Sequence, residues 1–113
     1  MALWLLYWLH AIRQISDMRP SVALQQHRER IREIALSHRV ADVRVFGSAV
    51  SGYDTERSDL DILVVPTEKT TLFDIGAIQY EVSELLGMPV DVLTPKALPE
   101  EFRQQVLREA RPV

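Results

Sequence analysis

The sequence predicts a small α+β domain, and three observations carry that expectation. Two stretches repeat apolar residues at helical spacing, Val22 to Arg39 and Leu72 to Leu86. Three short runs rich in β-branched residues, Val43 to Phe46, Leu60 to Val65 and Val90 to Leu93, read as strands. With 47% hydrophobic and 26% charged residues, a chain of 113 residues can bury one small core.

In the first helix Leu24, Ile31, Ile34, Ala35 and Leu36 form the apolar stripe, with Pro20 suited to its first turn and Ser21 a candidate cap. The strand Val43 to Phe46 runs into Gly47-Ser48, a tight turn. The segment from Ala49 to Ser58 is rich in turn formers and lacks periodicity, and Leu60 to Val65 reads as a buried strand stopped by Pro66. Leu72, Ile75, Ile78, Val82, Leu85 and Leu86 recur at spacings of three and four, and Gly87 and Pro89 terminate that helix. After the strand Val90 to Leu93, Pro99, Glu100 and Glu101 open a last helix with the stripe Phe102, Val106 and Ala110. The expected order is helix, strand, strand, helix, strand, helix, with a compact domain over residues 19–113.

Composition removes several function classes. The formal net charge of −3 gives no general excess of cations to hold a polyanion, so direct nucleic-acid binding is not expected. The absence of cysteine excludes disulfides, thiol nucleophiles and thiolate metal sites, and it fits a reducing cytoplasm. At the start, the apolar run from Met1 to Leu9 is about half the roughly 20 residues of a spanning helix. No positive charge precedes it and no small-residue cleavage pattern follows it, which argues against a secretory signal. Residues 1–18 are read as an apolar extension or an extra packing helix, with a partner- or membrane-surface helix carrying Trp4, Leu5 and Trp8 as the alternative. No membrane association is expected.

The chemistry concentrates in a few residues. Asp59 and Asp61 are two apart at a strand, so both carboxylates project from one face while Leu60 and Ile62 point to the other. Asp91, between Val90 and Val92, joins them if the two strands are neighbours. Converging carboxylates repel one another unless a cation intervenes, and oxygen-only ligation favours Mg2+ or Mn2+. Gly47-Ser48, directly after a strand, suits close approach of backbone N–H groups and a hydroxyl to phosphate oxygens. His10, His27 and His38 have no metal-ligand spacing, and Tyr53 and Tyr80 are read as packing residues before nucleobase platforms.

Gly47-Ser48, ten intervening residues and then Asp59-Leu60-Asp61 resembles the Gly-Ser-x10-Asp-x-Asp signature of the DNA polymerase β-like nucleotidyltransferase superfamily. By average composition such a match arises by chance on the order of once in a thousand chains of this length. The resemblance covers residues 19–112 in element order and implies a small mixed sheet with helices packed mainly on one side. It implies Gly47 and Ser48 as the nucleotide-binding turn, Asp59 and Asp61 as catalytic metal ligands and Asp91, placed by context, as the third acidic position. Many members carry a basic residue directly after the Gly-Ser pair, where this chain has Ala49 and Val50; Arg57 or Arg44 is the alternative source of positive charge.

The short chain is most similar to minimal nucleotidyltransferases, including antitoxins encoded beside HEPN-domain ribonucleases. That similarity implies transfer of AMP from ATP to a tyrosine of the HEPN-type ribonuclease toxin, with Mg2+ or Mn2+ and the possibility of a hetero-oligomer with that partner. Two other functions stay open at this level: a non-enzymatic module that masks its partner sterically, and a nucleotidyltransferase acting on a small molecule or an RNA end. A basic groove or added substrate helices would favour the last, and neither is visible in the sequence.

Overall fold

Alternation decides which strand residues face the core. Val43 and Val45 of one strand, Leu60, Ile62 and Val64 of the next, and Val90 and Val92 of the third are all buried on one side of a sheet. The computed structural model describes residues 19–113. Residues 1–18, and with them the extension or extra helix expected there, lie outside the described residues.

The described elements run α1 (Pro20–Leu36), β1 (Val40–Phe46), the short α2 (Ser48–Ser51), β2 (Leu60–Pro66), α3 (Leu72–Leu86), β3 (Val90–Leu93), a 3-10 turn (Pro95–Ala97), α4 (Glu100–Glu109) and β4 (Arg111–Pro112). Among the described residues the strands form one sheet in the order β3-β2-β1-β4. The β1 strand is antiparallel to both neighbours, and β2 is parallel to β3. The sheet is therefore mixed. α1 and α3 cover one face through Ala23, Leu24, Ile31, Ile34, Ala35, Ile78, Val82 and Leu86, which close the main core against the strand valines. A smaller cluster of Phe46, Leu63, Leu98 and Ala110 lies with the other set of strand residues, and Val106 of α4 packs against it. The fold is the expected α+β arrangement of a mixed sheet with helices mainly on one side.

Three local devices set the frame. Arg39, at φ 66, turns the chain from α1 into β1, and its carbonyl accepts hydrogen bonds from the Thr67 and Thr70 hydroxyls at 2.9 and 2.6 Å. A bulge between Val40 and Asp42 then lets Val40 and Val43, three residues apart, share the buried face. Thr71 and Asp74 form a reciprocal capping box at the start of α3, and Gly87, at φ 64, ends it.

The structure corrects the sequence reading at both outer helices. Ser21 is not the cap of α1 but lies inside its first turn, and the helix ends at Leu36 instead of continuing to Arg39. The orphan N–H of Ser21 is satisfied from a distance by Asp54, a buried carboxylate that accepts it at 2.7 Å. In α4 the expected stripe is only partly buried. Phe102 is 56% exposed, Val106 is half-buried, and Ala110 is buried but sits beyond the end of the helix.

Burial alone would raise the Asp54 carboxyl, but its hydrogen bonds from Ser21 and the nearby Arg19 charge outweigh that and hold it below the usual carboxylate range. Asp54 thus ties the spacer of the Gly-Ser-to-Asp motif to the start of α1. Asp54→Ala strands a helix N–H and is expected to cost about 1 to 2 kcal/mol. For a domain of this size that lowers the thermal midpoint by roughly 5 to 10 °C. A melt unchanged at neutral pH would show that this contact does not hold the spacer.

Candidate active site

The site is built at one end of the sheet, where three strands deliver one residue each. In the parallel pairing of β2 with β3, Asp61 stands opposite Asp91, and in the antiparallel pairing of β1 with β2, Asp61 also stands opposite Phe46. The residue after Phe46 is Gly47. Asp61 is therefore central, with Asp91 on one side and the turn on the other, and all belong to the sheet face away from α1 and α3. Asp59 sits immediately before β2, as the reading of the strand from Leu60 has it, and keeps the two-residue spacing from Asp61.

The Gly47 turn and the Asp61 carboxylate are in intimate contact. Gly47 has φ 78 and ψ −150, a backbone conformation that L side chains rarely adopt. A Cβ at this position would lie 2.5 Å from Asp61 Oδ2 and 3.4 Å from its Cγ. Glycine is required here twice, for the turn and for the room it leaves the carboxylate. After it the chain closes the single turn of α2, in which the N–H groups of Val50 and Ser51 donate to the Gly47 carbonyl at 3.1 and 3.2 Å.

The electrostatics follow from the register. Partial burial raises the Asp61 carboxyl, and the Asp91 and Asp59 charges raise it further, to about 6. Asp59 and Asp91 are exposed. The three carboxylates act on one another through their fields, yet among the described residues no set of three acidic or histidine side chains is already drawn together as a metal cluster. The donor set, carboxylate oxygens without thiolate or imidazole, is the chemistry of a hard divalent cation such as Mg2+ or Mn2+.

Neighbouring groups hold the acidic strands in place. The β3 strand is the sheet edge, and the Gln79 side chain from α3 accepts the Val92 N–H at 3.1 Å, fastening the residue next to Asp91. The sequence offered no signal for this contact, since Gln79 lies on a helix face that reads as solvated. His38, in the turn after α1, is hydrogen-bonded to Glu81 of α3, and Tyr53 and Tyr80 are 84% and 67% exposed. Neither tyrosine anchors the core, as had been expected of them. Of the two arginines considered as partners for phosphate, Arg44 is bound to Asp42 through Nε at 2.9 Å, and Arg57 lies exposed in the spacer.

Beside Gly47 an open apolar cleft of about 400 Å3 runs between the sheet and α4, lined by Phe46, Leu93, Leu98, Phe102 and Val106, with Gln105 and Glu109 at its polar part. The exposure of Phe102, which breaks the expected stripe of α4, is the exposure of a wall of this cleft.

Comparison with known proteins matches this geometry to a family. Residues 24–113 match the nucleotidyltransferase domain family. A Methanocaldococcus jannaschii protein, provisionally named a protein adenylyltransferase, is 36% identical over 87 residues, spanning 77% of this chain and 94% of that protein. The protein adenylyltransferase MntA of Thermococcus cleftensis is 35% identical over 86 residues, 76% of this chain and 84% of its own. A solved structure described as a candidate minimal nucleotidyltransferase superposes with a TM-score of 0.76 at 39% identity, covering 87% of this chain and 99% of that one. With the Gly47 turn set against Asp61 and Asp61 set against Asp91, the chain belongs to the nucleotidyltransferase domain family and has the minimal nucleotidyltransferase fold.

Proposed function

We propose that this chain transfers AMP from ATP to a hydroxyl of a protein partner, a tyrosine of a cognate HEPN-type ribonuclease toxin, and thereby acts as its antitoxin. The observation that carries the reading is the strand register that sets Asp61 opposite Asp91 and against the Cβ-free Gly47 turn. In this reading Asp59, Asp61 and Asp91 hold Mg2+ or Mn2+, and Gly47 and Ser48 receive the triphosphate. A cation held there would supply Lewis-acid polarisation of the phosphoryl group and compensation for the charge that develops during transfer.

The acceptor hydroxyl oxygen bonds to the α-phosphorus, the bond from that phosphorus to the bridging oxygen of the β-phosphate breaks, and pyrophosphate leaves. The hydroxyl proton passes to a carboxylate. Asp91, exposed on the edge strand, is the candidate for it. The apolar cleft beside Gly47 would cover a planar ring, either adenine or the acceptor phenol. Names of the adenylyltransferase relatives support a protein acceptor, and the resemblance to antitoxins paired with HEPN ribonucleases supports the tyrosine.

A phosphodiester charge and a nucleoside placed beside the partner's active site would repel RNA and block its access. Such a pair would work in the cytoplasm. Among the described residues no helix is long and apolar enough to cross a membrane.

The test is incubation with α-labelled ATP, Mg2+ and the product of the neighbouring gene. The expected result is label and an AMP mass gain on a partner tyrosine, with ribonuclease inhibition that survives removal of this chain. Equal inhibition without mass gain would assign the biology to steric masking. Label on RNA or a small molecule would assign it to a different acceptor.

A further inference from the structure

The apolar cleft beside Gly47 has one polar wall, and helical spacing builds it. Phe102, Gln105, Val106 and Glu109 follow one another along α4 at spacings of three, one and three, so all four share the helix face that lines the cleft. The floor is the sheet face that carries the carboxylates. Phe46 stands opposite Asp61, and Leu93, two residues after Asp91 on β3, points to the same side and packs on the cluster that holds Phe46. The cleft is therefore continuous with Asp61, Asp91 and the Gly47 turn.

Among the side chains that line it, only Gln105 can both donate and accept a hydrogen bond. Its amide nitrogen donates to Glu109 Oε1 at 3.3 Å. A carboxylate only accepts, so the amide cannot turn round without setting its carbonyl oxygen against an anion. Glu109 thus fixes the orientation of Gln105. The Oε1 atom of Gln105 accepts no hydrogen bond among the described residues and is left as the neutral acceptor of the cleft.

We propose that this cleft binds the nucleobase of the nucleoside triphosphate and that Gln105, oriented by Glu109, selects adenine. The assignment rests on the reading of Gly47 and the aspartates as a nucleotide site. Adenine carries an amino group, a donor, at the carbon where guanine and hypoxanthine carry a carbonyl, an acceptor. The lone acceptor Oε1 matches the first and opposes the second. Leu93 and the exposed ring of Phe102 supply apolar surface for the faces of the base. An acceptor phenol fits the wall less well, because its single polar group is the reacting oxygen, which has to stand at the aspartates. Adenine presents its amino group on the edge remote from the ribose, where it can reach Gln105 while the phosphates lie at Gly47.

The experiment is calorimetric titration of the folded chain, with Mg2+, by the α,β-methylene analogues of ATP and of inosine triphosphate, which differ only in the base. Wild type is compared with Gln105→Leu, Gln105→Lys, Glu109→Gln and Phe102→Ala. Gln105, Glu109 and Phe102 are exposed, and circular dichroism and thermal melts check that each variant folds. Wild type is expected to bind the adenine analogue roughly tenfold more tightly. Gln105→Leu should bring the two analogues within about twofold, and Gln105→Lys, which only donates, should reverse the order. Glu109→Gln should narrow the preference, since the Gln105 amide can then turn, and Phe102→Ala should weaken both analogues alike. Equal binding of the two analogues by wild type, or a preference unchanged in folded Gln105→Leu, would overturn the assignment while leaving the nucleotide site standing. Equal weakening of both analogues by Gln105→Leu would overturn it too, as the mark of a structural role. Unaltered analogue binding in Gln105→Leu and Phe102→Ala with reduced transfer to the partner would give the cleft to the acceptor. A wild-type chain that binds neither analogue would remove the reading beneath the proposal. Should Gln105→Leu fail to fold, Glu109→Gln, which keeps the shape of the side chain, decides by the same ratio.

Discussion

Replacing Asp59 or Asp61 with asparagine is expected to reduce AMP transfer by about a thousandfold or more while leaving the chain folded. Metal assistance is worth several kcal/mol of transition-state stabilisation, and each 1.36 kcal/mol is about tenfold in rate. Single-turnover transfer of label from α-labelled ATP to the partner measures it. Near-normal transfer by a folded double variant would sink the mechanism.

Stability separates catalytic from structural loss, because Asp61 carries a cost to the fold. Its carboxyl is raised from 3.8 to about 6 in the folded chain, so between those values the native state binds more protons than the unfolded one. Stability of the metal-free protein therefore falls as pH rises through that window and stays lower above it. Asp61→Asn should raise the thermal midpoint in EDTA at pH 7.5 by several degrees. That corresponds to about 1 kcal/mol after allowance for solvent screening of a half-exposed group. The advantage should vanish below about pH 4, where wild type is protonated too. Saturating Mg2+ should reverse the order, since only wild type gains full binding energy from the cation. A variant less stable than wild type in EDTA at pH 7.5 would mean that Asp61 is a structural carboxylate.

The second large effect is expected at Gly47, where even alanine places a methyl group 2.5 Å from Asp61 Oδ2. Either that carboxylate swings away or the turn opens, and the residue is also strained at φ 78 by about 1 to 2 kcal/mol. Displacing a catalytic group by about 1 Å can cost 100-fold in rate. Gly47→Ala should therefore lose about 100-fold or more in transfer with a moderately lowered melting temperature, and Gly47→Val should also weaken binding of a non-hydrolysable ATP analogue. Gly52, at φ 82 and ψ 9 in the left-handed region with open space around it, is the comparison: Gly52→Ala should bring milder strain and far less effect on transfer. A loss at Gly52 as large as that at Gly47 would show that the close approach to Asp61 adds nothing to a general effect of the turn. A fully active, folded Gly47→Ala protein would remove the close-approach argument.

Much of this architecture was legible before any coordinates. The α3 helix and β3 have the boundaries their periodicity and terminators indicate, because Gly87 and Pro89 are local signals and Leu72–Leu86 repeats at helical spacing. The β1 strand was read three residues short. Its first part, Val40 to Asp42, contains the bulge, and a bulge inserts one residue into a period of two, which erases the alternation that reveals strands. The β4 strand is two exposed residues, one of them proline; it is a strand only because the edge of β1 is there to pair with it.

The sequence by itself indicated the family, the helix-and-strand order and the candidate residues Gly47, Ser48, Asp59 and Asp61, because those depend on spacing along one chain and on the conformations each residue permits. Only the tertiary structure decided that Asp91 stands opposite Asp61, that Asp54 caps α1 and that Gln79 fastens β3. Each of these joins positions between 13 and 33 residues apart. Such pairings are selected by the register in which the strands bury Val43, Val45, Ile62, Val64, Val90 and Val92 against α1 and α3. A slip of one residue would turn those side chains out of the core and the aspartates into it. The burial of the apolar face thus fixes where the charged face stands, and a linear pattern can name the members of that face without saying which of them meet.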